Sequence, residues 1–121
     1  MSLDRGGASI AIIVISAGVI LICVALASIA ALARVHAVVD AAADLSALAA
    51  ANQLLVSTDP CAVARTVAHR NDVALDSCTI SGAVVAVTVS KPLPAGVAAL
   101  SGSRAVGDAY AQLQRTPGAW D

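Results

Sequence analysis

Aromatic residues are almost missing from this chain: it has no phenylalanine, one tryptophan and one tyrosine. Any hydrophobic core must therefore be built from aliphatic side chains. Because Ala and Val remove little area from water per residue, such a core is thin. Charge is scarce as well, at 12% of residues against roughly 25% in an ordinary soluble domain. Seven basic and eight acidic residues leave a formal net charge of −1, which argues against nucleic acid as a partner. The single Arg5-Gly6-Gly7 triplet is too isolated to change that balance, and no polybasic stretch seeks anionic lipid. Catalytic patterns are missing too. The serines come without a histidine-and-acid constellation or a nucleophile elbow, and no Gly-rich phosphate loop occurs. No CxxC or nearby His pair offers zinc four ligands at familiar spacing. The expectation is no enzyme, no cofactor, no metal and no small-molecule substrate.

What the chain does have is one long apolar run. From Ala8 to Ala33 no residue is charged, with Asp4 and Arg5 before it and Arg34 after it. About 20 apolar residues suffice to cross the hydrocarbon core as a helix, so this run predicts a transmembrane helix over 8–33. A cleaved secretory signal is the alternative, with small-x-small triplets at Ala25-Leu26-Ala27 and Ala31-Leu32-Ala33. Signal cores are usually about 7–15 residues long and follow a more basic start, which disfavours it. Cys23 lies inside the run, where packing is its expected role.

The helical pattern continues past Arg34. Val38, Ala41, Leu45, Leu48, Ala49 and Val56 recur at helical spacing and predict the face that docks on a folded domain. A continuous helix over 8–56 would be roughly 70 Å long. His36, Asp40 and Asp44 form a second stripe at i, i+4. A metal or proton-relay role is conceivable for it, but a solvated face above the membrane is the simpler reading. Ser57-Thr58-Asp59-Pro60 ends the helix. Thr58 or Asp59 is placed to cap a second helix, with Pro60 in its first turn. That helix reaches Arg70, with Asn71 as its C-terminal cap. Val63, Ala64, Val67 and Ala68 share its inner face with Cys61 at the edge; Arg65, Thr66 and His69 point away. His69 and Arg70 suit the helix macrodipole.

The period then becomes two. Leu75–Ile80 and Val84–Ser90 around Ser81-Gly82-Ala83 predict a β-hairpin, ended by Pro92 and Pro94. Residues 95–102 are a connection of open form. Residues 103–113 are read as a third strand, with a short helix as the alternative, and 114–121 as a tail. The expected fold is α+β, with a second helix packed on an antiparallel hairpin or three-stranded sheet. The expected domains are a short cytoplasmic N-terminus (1–7), the transmembrane helix (8–33), a small extracytoplasmic domain (34–113) and a flexible tail (114–121).

Cys61 and Cys78 are expected to form a disulfide pinning the second helix to the hairpin, two packed free thiols being the alternative. The loop of about 18 residues would contribute roughly 3 kcal/mol in the chain-entropy model. A bridge requires an oxidising compartment. Since Arg5 and Arg34 leave the positive-inside rule nearly tied, the cysteines are what place the N-terminus in the cytoplasm and the domain outside.

Arg5-Gly6-Gly7-Ala8 before the apolar helix, the segment Ala42-Ala43-Asp44-Leu45-Ser46-Ala47-Leu48-Ala49-Ala50-Ala51, the two cysteines, and Val84-Val85-Ala86-Val87-Thr88-Val89 together resemble TadE/TadG-like proteins, in particular the short actinobacterial TadE-like branch of a helicase/secretion neighbourhood. The likeness covers most of residues 4–90. It implies a minor pilin-like (pseudopilin) component of a tight-adherence, type IV-related pilus or secretion machine. The implied partners are membrane lipid and other pilin-like subunits or secretion-system membrane proteins. In that setting Gly18, Ala25 and Ala27 would let neighbouring helices approach closely. Prepilin-peptidase substrates carry Glu at the fifth mature position, whereas a cut after Gly7 would put Ile12 there. A single-pass anchored binding or sensor domain without a pilus role is the alternative from another class.

Overall fold

The computed structural model describes residues 4–56 and 58–113; the expected tail at 114–121 lies outside them. Helix α1 (Asp4–Gln53) is followed by α2 (Pro60–Arg70), β1 (Ala74–Ser81), β2 (Val84–Pro92), α3 (Ala95–Ser101) and β3 (Arg104–Gln112). The strands form one antiparallel sheet in the order β1-β2-β3. The architecture is a long apolar N-terminal helix followed by a small α+β domain. The chain divides into two units, Met1–Ala33 and Arg34–Asp121.

The first unit is helical throughout its described residues, 4–33. Ile10, Ile12, Ile15, Ile20 and Ile29, spread around its circumference, are between 62 and 65% exposed. Its best window has a mean hydropathy of 3.1, and the helix is long and apolar enough to span a membrane. Two of the run's three serine hydroxyls fold back onto the helix: Ser16 donates to the Ile12 carbonyl (2.7 Å) and Ser28 to that of Val24 (2.9 Å). A backbone that bonds within its own helix, with hydroxyls folded back onto it, leaves little polar surface needing water.

In the second unit the core is a layer of β2 valines. Val85, Val87 and Val89 are at most 2% exposed. Beside them on the same sheet face stand Leu75, Cys78 and Ile80 of β1 and Ala105, Gly107 and Ala109 of β3, set by a register that pairs Val87 with both Cys78 and Ala109. β1 and β2 are joined by a tight turn at Gly82-Ala83, between the paired residues Ser81 and Val84. Gly82 has φ +61°, the left-handed start that a type II′ hairpin turn asks of its first central residue.

α2 packs on β1. Asp59 is its N-cap, accepting from the Ala62 N–H at 3.0 Å, and Pro60 opens its first turn. Asn71 is the C-cap, and Asp72 then takes φ +56°. The Val73 N–H reaches the Ala68 carbonyl and the Asp72 N–H that of His69, both at 3.1 Å, which is the bonding of a Schellman motif.

The inner face of α1 differs from the sequence expectation. Val38, Leu45, Leu48 and Val56 are 46, 49, 52 and 78% exposed, and Ala41 is exposed as well. The face turned inward carries Val39, Ala42, Ala43, Ser46, Ala47, Ala50 and Ala51, each at most 1% exposed. The reason is the closeness of approach. A Cβ placed on Gly107 of β3 would stand 2.9 Å from Val39 Cγ1 and 3.1 Å from the Val39 carbonyl oxygen, so small side chains must line this contact and leucines are turned out. Ser46 fits because its hydroxyl donates to the Ala42 carbonyl at 2.7 Å. The helix also ends three residues early, at Gln53, with turns that bond Leu54 to Ala51 and Val56 to Gln53.

Candidate functional site

The chemistry this chain displays lies on helix faces. In the first unit, Gly18 has open space where a Cβ would stand, and Ala25 and Ala27 are exposed. At about 100° per residue, Gly18 and Ala25 share a face, but Ala27 falls on roughly the opposite side. One neighbouring helix packed on Gly18 would thus also meet Ala25 but not Ala27. Cys23 is free and exposed.

In the second unit, Cys61 and Cys78 form a disulfide with their Cα atoms 5.9 Å apart. The bridge fastens the start of α2 to the middle of β1, both cysteines being half-buried. Inner-face packing brings them together: Ala64 and Ala68 are fully buried against the sheet, and Cys61 sits at the edge of that face.

His36, Asp40 and Asp44 are all exposed on α1. Asp40 leans over β3, its Oδ1 being 3.0 Å from where a Gly107 Cβ would lie. Among the described residues no three His, Cys, Asp or Glu side chains converge as metal ligands would. Next to the aspartates on the same helix runs the uncovered apolar row of Val38, Ala41, Leu45 and Leu48. Its 3-4-3 spacing keeps it on one side of the helix, roughly opposite the small-residue face that meets the sheet.

Among the depressions on the domain surface, two are formed by described residues of contrasting chemistry. One, of about 390 Å³, is lined by Leu54, Leu55, Gly82, Ala83 and Leu113, an apolar wall among the described residues. The other, of about 350 Å³, lies on α2 between Arg65, Thr66, His69 and Arg70. This basic face was readable as outward-pointing, but helical spacing alone did not mark it as a surface of one charge. Thr66 donates to the Ala62 carbonyl at 3.0 Å, which leaves the two arginines and the histidine as its projecting groups.

The chain thus combines an apolar helix long enough to span a membrane with a small disulfide-bridged α+β domain. Comparison with family models, curated proteins and solved structures gives no match.

Proposed function

We propose that this chain is a membrane-anchored, minor pilin-like (pseudopilin) structural component of a tight-adherence or type IV-related pilus or secretion system. The observation that carries the reading is the two-part helix α1. Its first part is apolar on every side, suited to lipid or to a bundle of like helices. Its second part keeps an uncovered apolar row although its inner face is already filled by the domain. The resemblance of most of residues 4–90 to TadE-like sequences points the same way. The Cys61–Cys78 bridge supports a cytoplasmic N-terminus and an extracytoplasmic domain, because disulfides persist in oxidising compartments.

Crosslinking in intact membranes tests the proposal. Ladders of the chain, or adducts with pilus or secretion membrane proteins, are the expected result; a lone monomer at every crosslinker concentration would favour an anchored binding or sensor domain. Gly18→Leu should reduce the ladders without affecting insertion, because a bulky side chain holds the backbones apart.

A further inference from the structure

The basic face of α2 and the acidic edge of α1 are two exposed surfaces of one unit, and neither neutralises the other. On α2, Arg65 and His69 stand one helical turn apart with Arg70 beside them, and the helix contains no acid. On α1, Asp40 and Asp44 are also one turn apart, both exposed. No ion pair or hydrogen bond engages the side chains of Arg65, Arg70, Asp40 or Asp44 among the described residues. Both rows have the same pitch, about 6 Å for four residues of helix. Beside the aspartates lie Leu45 and Leu48, apolar area that the chain's own sheet leaves open.

We propose that the basic face of α2 docks on the Asp40–Asp44 edge of α1 in a second copy of this chain. The inference deepens the pilin-like reading and rests on it, naming the subunit contact. The two patches are different surfaces, so the contact is head-to-tail. Each added copy leaves an acidic edge free at one end of the series and a basic face at the other, and such contacts propagate unless the rotation closes a ring. Exposed ion pairs shift an equilibrium only about two- to five-fold each. The charges therefore select partner and register, the leucines add buried area, and confinement of anchored copies to one bilayer raises their effective concentration.

The test uses the full chain reconstituted in phosphatidylcholine vesicles, with energy transfer read between copies labelled at the N-terminus. Asp40→Lys with Asp44→Lys should lower apparent association roughly ten-fold, and Arg65→Glu with Arg70→Glu should do the same. An equal mixture of the two double variants should regain wild-type transfer, since each again meets an opposite charge. That recovery cannot come from misfolded protein. Either double variant keeping wild-type transfer overturns the contact, as does a mixture no better than its components. Association that instead requires anionic lipid in the vesicle, with Arg65 and Arg70 needed but Asp40 and Asp44 dispensable, assigns the α2 face to lipid headgroups and overturns it too. Wild-type transfer no higher than that of randomly placed monomers removes the pilin-like reading as well, whereas strong transfer indifferent to all four charges removes only this contact.

Discussion

The first and second halves of helix α1 share one backbone geometry and obey opposite packing rules. Before Arg34 the large side chains Ile, Val and Leu of the described residues point in every direction, and all are exposed except half-buried Leu32. After it, the covered face is made almost wholly of Ala, and the leucines are again outside. Size explains the second half better than hydrophobicity does. Where a helix lies against a glycine of a sheet, the space left admits a methyl group and little more, so the best hydrophobes are excluded from the core. Stability in such a contact comes from close packing of many small groups and has little redundancy.

The bridge is the sharpest way to break the domain half while leaving the apolar half intact. Cys61→Ser should lower the stability of the domain by about 3 kcal/mol, read as a drop in its thermal transition, with membrane association unchanged. The two halves should also answer differently to polarity. Ile20→Asp should cost roughly 3 kcal/mol of membrane insertion, measured by extraction from membranes. Leu48→Gln, on the exposed row, should shift domain unfolding by no more than about 0.5 kcal/mol. Gly107→Ala tests the close approach: its new methyl would crowd Val39 Cγ1 at 2.9 Å and the Val39 carbonyl at 3.1 Å, and destabilisation of about 1–3 kcal/mol is expected. A change of opposite sign belongs to Ser90, which is 1% exposed and whose Oγ has no hydrogen-bond partner among the described residues. Ser90→Ala removes that unsatisfied group and should raise stability by about 1 kcal/mol; a lower transition temperature would mean that the hydroxyl has a role in packing.

Most of the domain was legible from local chemistry. Asp59 and Pro60 mark the start of α2, Asn71 its end, and valines alternating on either side of Gly82 mark the hairpin. The third strand, read over 103–113, is found at Arg104–Gln112. Helix α3 is not legible in the sequence because its seven residues carry no periodic pattern, and its N-cap, Pro94, makes no side-chain capping bond. The inner face of α1 was misread because leucine outranks alanine in hydrophobicity, while the constraint came from a glycine more than sixty positions along the chain. The doublets Ala42-Ala43, Ser46-Ala47 and Ala50-Ala51 are its trace in the sequence, a small-residue strip repeating every four positions. The candidate site was legible only in part. The stripe of His36, Asp40 and Asp44 and the outward side chains of α2 could be placed, but the proposed complementarity between copies rests on Arg65, Arg70, Asp40 and Asp44 being unpaired among the described residues.

The disulfide between Cys61 and Cys78, seventeen positions apart, turns α2, its Schellman turn and the first half of β1 into a closed covalent circuit. A protease that severs one peptide bond inside this circuit, for instance beside exposed Arg65 or Arg70, produces a nick and no loss of mass from the molecule. Both pieces travel together under oxidising conditions and separate only when the bridge is reduced.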